Sequence, residues 1–126
     1  MKVFVVEDSI VILERLMKML RAIPEVEVVG HAGDVHEAIA GILAIRPDVV
    51  VLDLKLAHGN GFEVLSEVHR REPGIDVYML SNFSSEPYRR HAERLGALGF
   101  FDKSSEFERV RDAVARRAAN QTQLRG

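Results

Sequence analysis

Five short apolar runs, each followed by a segment with helical signals, constrain the fold of this chain more than any other feature. Continuous runs of Val, Ile, Leu and Phe of this length are typical of strands buried on both faces. Such strands belong to parallel sheets that helices cover on both sides. Strands are therefore predicted at 2–6, 26–31, 48–53 and 75–80, with a short fifth strand within 96–101.

The segments between the runs carry the capping and stop signals of helices. Ser9 can cap a helix that continues to about Arg21, and Asp34 can cap a second one to about Ile45. Prolines after both segments favour their termination. Three further helices are predicted from Phe62 to the Pro-Gly pair at 73–74, over 85–95, and from a cap at Ser105.

Strict alternation of five strands and five helices predicts an α/β protein of three layers. Crossovers between parallel strands are right-handed, so the helices are expected on both faces of a doubly wound (βα)5 sheet. The strand order 2-1-3-4-5 of a flavodoxin-like fold is the natural prediction. It places the first strand beside the third, at the point where ligands bind in such sheets.

Composition limits the class of protein further. The chain has 126 residues, a formal net charge of −2 and no cysteine. One domain is expected over 1–118, with a polar tail at 119–126 that frays. The charge does not resemble the basic surface of a nucleic-acid binder, and no run is long enough to span a bilayer. A cytoplasmic protein without disulfides or a membrane anchor is expected.

Polar groups follow four of the five predicted strands. Glu7 and Asp8 come after the first, Asp53 after the third, Ser81 after the fourth and Lys103 shortly after the fifth. The carboxyl ends of parallel strands meet at one edge of a sheet, so these groups should converge. Crowded carboxylates repel one another unless a cation joins them. The set therefore suggests a divalent metal, a phosphate-like anion, or both.

This ordered set resembles the receiver domain of two-component response regulators. The segment DLKLAHGNGFEVL is similar to the stretch that follows the phosphoacceptor in that family, and the resemblance covers residues 2–118. It implies that Asp53 accepts a phosphoryl group. It also implies a Mg²⁺ ion, replaceable by Mn²⁺, held by Asp8, Asp53 and the backbone carbonyl of Lys55, with Glu7 acting through water.

The resemblance also implies a switch. Lys103 and Ser81 would contact the phosphoryl group, and Phe100 matches the aromatic residue that turns when Ser81 moves. The surface formed by the fourth helix, fifth strand and fifth helix would change. The implied donor is a histidine kinase or histidine phosphotransfer protein, and the output is a downstream protein; homodimerisation on phosphorylation is a further expectation. Self-catalysed phosphotransfer and autodephosphorylation are expected, rather than turnover of a separate substrate or direct nucleic-acid binding.

Several positions depart from the family pattern. Glu7 replaces the more usual Asp, Ser81 the commoner Thr and Phe100 the commoner Tyr. Ala57 and Ser104 stand where Pro is frequent, which removes the expectation of a cis peptide after Lys103. Asn82 is larger than usual at its position. Lys55 is expected to reach the phosphoryl group or the path of an attacking water, which would change the lifetime of the acyl phosphate.

The first helix carries a second apolar stripe besides its inward face. Ile10, Leu13 and Met17 recur at helical spacing. Two interpretations remain open: a broad buried face, or a surface for the histidine-bearing partner or a second copy.

Two other classes of protein use comparable folds. A flavin or nucleotide binder would need a glycine-rich phosphate loop after the first strand, where this chain has EDSIVI. A hydrolase with an aspartyl nucleophile would favour paired acids after the first strand, with the nucleophile there. The sequence leaves open whether the domain acts alone or as the receiver part of a longer regulator.

Overall fold

The computed structural model describes the backbone of residues 1–125 and the side chains of residues 1–121. Five parallel strands form one sheet in the order β2-β1-β3-β4-β5, as predicted. The strands are β1 Lys2–Val6, β2 Glu27–Ala32, β3 Val49–Leu52, β4 Asp76–Ser81 and β5 Gly99–Asp102. The helices are α1 Ile10–Arg21, α2 Val35–Ile45, α3 Gly61–Arg71, α4 Glu86–Arg94 and α5 Phe107–Arg125.

Two apolar layers bury the sheet between its helices. Successive side chains of a strand point to opposite faces, so Val3 and Val5 of β1 lie in one layer and Phe4 and Val6 in the other. The first layer contains residues of α1 and α5, and the second contains residues of α2, α3 and α4. This division confirms the three-layer prediction and leaves only the sheet's edges and strand ends for polar groups.

The predicted caps at Ser9 and Asp34 are confirmed, and α3 has a cap that was not predicted. The Ser9 side chain accepts a hydrogen bond from the backbone of Ile12, and Asp34 accepts one from that of Glu37. Asn60 and Glu63 form a reciprocal capping box at the start of α3. These caps satisfy backbone N–H groups that have no partner within the helix.

The predicted cap of α5 at Ser105 was wrong. The helix begins at Phe107, and the hydroxyl of Ser105 donates to Asp102 Oδ1 at 3.1 Å instead of capping it. The local competition of serine side chains for turn partners explains the difference. Residues 119–125, expected as a frayed polar tail, continue α5. The domain limit at residue 118 stays a prediction.

Gly61 fixes the chain after β3. Its backbone N–H donates to Leu54 O at 2.6 Å, and a Cβ atom there would collide with the carbonyl oxygen of Asp53. Only glycine allows α3 to begin so close to the end of β3. The backbone of Asp53 is therefore held by packing as well as by the sheet.

No helix within residues 1–125 has the length and apolar character needed to cross a membrane.

Candidate functional site

The strand order brings the predicted polar residues to one edge of the sheet. Because β1 lies beside β3, with Val6 paired to Leu52, the acids that follow these strands are neighbours. Ser81 is the last residue of β4, and Lys103 directly follows β5. Together they line an open cleft of about 520 Å³; its lining also includes Asp8, Ser9, Ile12, Arg15, Lys55, Asn82, Phe83 and Ser104.

A buried ion triad lies in this cleft. The Lys103 ammonium lies 2.6 Å from Glu7 Oε1 and 2.7 Å from Asp53 Oδ2. Glu7 is 3% exposed and Asp53 5% exposed. Their remaining oxygens accept backbone N–H groups: Leu54 N donates to Asp53 Oδ1 at 2.7 Å, and Ser9 N donates to Glu7 Oε2 at 3.0 Å. The backbone therefore orients both carboxylates.

The charges of the triad do not balance. Burial raises the pKa of Glu7, against the opposing influence of Lys103 and of the Ser9 N–H, while the nearby Asp53 adds to the increase. Burial alone would lower the pKa of Lys103, but its bonds to Asp53 and Glu7 outweigh this and raise it. The contact of Lys103 with Glu7 Oε1 is close, yet that oxygen accepts no well-directed hydrogen bond. One ammonium thus serves two buried carboxylates.

The same carboxylates meet the requirements of a small hard cation. Oxygen atoms of Glu7, Asp8 and Asp53 lie within 4.8 Å of one another, and Asp8 is exposed to solvent. Mg²⁺ prefers carboxylate oxygens and retains several waters. The excess negative charge and the incompletely bonded Glu7 oxygen therefore fit a divalent cation. Lys55 is exposed at the rim of the cleft.

Ser81 lines the cleft, whereas Phe100 of β5 is outside the cleft lining and borders a separate pocket beside α4. Ser81 is fully buried, and its hydroxyl oxygen accepts the Phe83 N–H at 3.1 Å. Phe100 is half-buried against the core, and the Arg89 guanidinium lies 5.3 Å from its ring centroid. Lys103 N donates to Ser81 O at 3.1 Å, which ties the ends of β4 and β5 together.

Two groups near the cleft were missed in the sequence. Arg15 of α1 lines the cleft and stacks its guanidinium 3.9 Å from the Phe107 ring centroid. Asp102, directly before Lys103, binds serines of two loops. An acid beside the expected site lysine was the available signal for Asp102. Nothing in the sequence pairs Arg15 with Phe107, because that contact joins two distant helices.

The residues of the second apolar stripe of α1 differ in their exposure to solvent. Ile10 is exposed, whereas Leu13 is half-buried and packs against the core layer shared with α5. Met17 is also half-buried. Val11, which the stripe did not include, is exposed beside Ile10. The apolar surface next to the cleft is therefore formed by Ile10 and Val11, and Leu13 is part of the packed face.

Comparisons with known proteins give one consistent family. Residues 3–115 match the family model of the response regulator receiver domain. The chain is 41% identical over 102 residues to the DNA-binding transcriptional activator DevR/DosR of Mycobacterium tuberculosis, a match that covers 81% of this chain and 47% of that protein. It is 35% identical over 111 residues to a protein-glutamate methylesterase/protein-glutamine glutaminase of Carboxydothermus hydrogenoformans, covering 86% of this chain and 32% of that protein. The chain thus spans half or less of these relatives.

Solved structures agree with the sequence matches. The response regulator domain of Thermotoga maritima CheB superposes with a TM-score of 0.83 at 28% identity, covering 95% of this chain and 94% of that one. The receiver domain of the putative response regulator NarL from Mycobacterium tuberculosis gives 0.85 at 30% identity, covering 94% and 95%. With the family match across nearly its whole length, the chain belongs to the response regulator receiver domains, the phosphorelay modules of two-component signalling.

Proposed function

We propose that Asp53 accepts a phosphoryl group from a phosphohistidine of a histidine kinase or phosphotransfer protein in the cytoplasm. The observation that carries this assignment is a buried carboxylate, oriented by Leu54 N, in contact with a buried ammonium at the base of an open cleft. An oriented carboxylate beside a fixed cation is the arrangement that a charge-dominated phosphoryl transfer needs.

The transfer exchanges one bond at phosphorus. An Asp53 carboxylate oxygen attacks phosphorus, the P–N bond to the donor imidazole breaks, and the nitrogen keeps the bonding electron pair. Lys103 keeps its proton and turns from the Asp53 oxygen toward a phosphoryl oxygen. Positioning and charge neutralisation supply most of the rate in such reactions.

The metal site supports this assignment. Glu7, Asp8, Asp53 and the backbone carbonyl of Lys55 would hold Mg²⁺, or Mn²⁺ in its place, with Glu7 acting through water. When bound, the cation neutralises charge on the transferred group and on the crowded carboxylates. Glu7 and Asp8 would hold the cation beside Asp53.

Modification of Asp53 is proposed to change a surface at the other end of the cleft. The new phosphoryl oxygens attract the Ser81 hydroxyl, and Phe100 turns into the space that Ser81 leaves. The surface of α4, β5 and α5 then presents a different face to a downstream protein, or to a second copy of the chain. The net charge of −2 favours a protein target over direct DNA contact by this segment, although a DNA-binding activator is among its relatives.

The exposed Ile10–Val11 pair is proposed as the apolar contact for the histidine-bearing partner. They lie at the start of α1 between Ser9 and Ile12, which line the cleft, and they are 71% and 75% exposed. The sequence predicts Leu13 and Met17 as part of the same surface. Both are half-buried, so less of each side chain is available to a partner.

Asp53→Asn tests the central assignment. Acetyl phosphate with Mg²⁺ should add one phosphoryl group to the wild-type protein by intact-mass measurement and none to the variant. Asp112→Asn, an exposed acid of α5, is the matched control and should label like the wild type. Stoichiometric labelling of Asp53→Asn would exclude Asp53 as the acceptor.

A further inference from the structure

A polar network joins the two loops that flank the cleft on the α4 side. Residues 82–85 connect β4 to α4, and residues 103–106 connect β5 to α5. The inter-loop network consists of Ser84, Arg89, Asp102 and Glu106. One carboxylate oxygen of Asp102 accepts the Ser84 hydroxyl, and the other accepts the backbone N–H groups of the next loop, Ser104 at 2.8 Å and Ser105 at 2.9 Å.

Arg89 forms the second half of the network. Its Nε donates to Ser84 O at 2.6 Å, and its two terminal nitrogens donate to Phe100 O and Glu106 Oε1, both at 2.8 Å. Glu106 Oε1 also accepts the backbone N–H of Asp102 at 3.0 Å. Ser84 is therefore held at its hydroxyl and at its carbonyl, in both cases by groups outside its own loop.

The two residues proposed to contact the phosphoryl group, Ser81 and Lys103, adjoin the network in the chain. Ser81 lies at the start of the first loop, and its hydroxyl oxygen accepts the N–H of Phe83, next to Ser84. Lys103 follows Asp102 directly. The network holds Ser84, and with it the segment that follows Ser81. A displacement of Ser81 toward Asp53 therefore breaks the Ser81–Phe83 hydrogen bond or draws residues 82–84 against the bonds of the network.

We propose that the inter-loop network holds Ser81 and its loop in the unphosphorylated arrangement, and so sets how readily a phosphoryl group on Asp53 switches the domain. Ser84, Arg89, Asp102 and Glu106 are positioning residues in this scheme, since none is placed against the reacting atoms. The inference deepens the proposed function and rests on it for the role of Asp53. A ligand shifts a two-state equilibrium against whatever stabilises the unliganded state.

Both acids of the network have lowered pKa values, which keeps them ionised as hydrogen-bond acceptors. The Ser84 hydroxyl, then the backbone N–H groups of Ser105 and Ser104, lower the pKa of Asp102 to about 2. The Arg89 guanidinium, followed by the Asp102 N–H, lowers the pKa of Glu106. Both acids remain charged acceptors throughout the physiological range.

Ser84→Ala and Arg89→Met remove the network from two sides. Ser85→Ala is the matched control, because Ser85 is the adjacent serine, exposed, and its side chain makes no capping hydrogen bond to α4. Two measurements are needed on the full chain: amide hydrogen exchange of residues 82–85 and 103–106 without ligand, and the affinity for beryllofluoride with Mg²⁺ as a phosphoryl mimic. Acetyl phosphate labelling of the same wild-type sample reports on the proposed function separately.

The network predicts faster exchange in both loops of Ser84→Ala and Arg89→Met. It also predicts that Ser84→Ala, which loses one hydrogen bond opposing the switch, binds beryllofluoride roughly three- to tenfold more tightly, and that Arg89→Met, which loses three, shows a larger gain. Ser85→Ala should match the wild type in both. Unchanged exchange would show that the network does not hold the loops. Faster exchange with equal or weaker beryllofluoride affinity would overturn its bias toward the unphosphorylated state. Failure of the wild type to label would instead overturn the proposed function, and with it the switching role, while the exchange data still decide whether the network holds the loops.

Discussion

The buried ion triad and the inter-loop network both combine acidic and basic side chains, but they differ in burial and in how many hydrogen bonds their acids accept. The triad places one ammonium between two carboxylates that are almost completely buried. The network is partly exposed, and each of its acids accepts two or more hydrogen bonds from basic, hydroxyl or backbone donors. Burial raises the pKa of Glu7, whereas hydrogen bonding lowers the pKa of Asp102 and Glu106.

This difference separates a binding site from a support. A buried cluster with excess charge and an incompletely bonded oxygen is stabilised by a ligand that supplies the missing charge. The acids of the network already accept several hydrogen bonds, so a further ligand has no comparable charge deficit to fill, and the bonds resist displacement instead. The functional contrast follows from how completely the polar groups are satisfied.

Replacement of Lys103 should have the largest effect on stability, because it removes the only ammonium of the buried triad. Lys103→Met leaves Glu7 and Asp53 buried without a counter-charge, and a buried pair that loses one partner costs about 3 kcal/mol of unfolding free energy. Urea denaturation without Mg²⁺ measures the loss, and added Mg²⁺ should restore part of it. Lys55→Met, an exposed lysine of the same cleft, should change stability little; an equal loss in both variants would show that the triad carries no special energy.

Divalent cations should stabilise the triad's side of the molecule and leave the network unchanged. At a Mg²⁺ concentration about tenfold above its dissociation constant, linkage adds ~1.4 kcal/mol and raises the melting temperature by several degrees. Asp8→Asn should reduce this shift, and Asp112→Asn should keep it. Scanning calorimetry with Mg²⁺, and with Mn²⁺ in parallel, measures it; no shift with either ion would argue against the metal site.

Low pH should remove the contribution of Asp102 to stability, whereas it favours a buried acid whose pKa is raised by burial. Its folded-state pKa of about 2 lies below the ordinary aspartate value of 3.8, so its contribution to stability is present above pH 3.8 and is lost as the pH falls toward 2. The effect is small because the carboxylate is partly exposed. The Asp102 carboxyl carbon, followed by NMR, should titrate nearer 3.8 in Ser84→Ala than in the wild type. Equal midpoints would show that the Ser84 hydroxyl does not stabilise the charged form.

Much of the cleft was accessible from the sequence because strand ends converge in any parallel sheet. Glu7, Asp53 and Lys103 follow apolar runs directly or within a few residues, and the strand order alone brings them to one edge. The start of α5 was missed because Ser105 resembles a cap in sequence. Only the structure shows that the Ser105 hydroxyl instead donates a hydrogen bond to Asp102.

The stripe on α1 shows a second limit. Helical spacing groups Ile10, Leu13 and Met17, but the width of the buried face depends on where α5 packs. Leu13 reaches the core layer and Ile10 does not. Periodicity states which residues share a face, and not how far the neighbouring helix covers it.

The sequence by itself determined the alternation of strands and helices and the family, because these follow from local apolar pattern and from the ordered polar residues at strand ends. The sheet order was a prediction from the fold type, and the structure confirmed it. Only the tertiary structure decided the partners of those residues: that Lys103 bridges Glu7 and Asp53, that Arg89 spans from Ser84 to Glu106, and that Asp102 binds two loops. Such contacts join residues far apart in the chain. Their geometry is set by helix packing and loop paths, which no local pattern encodes.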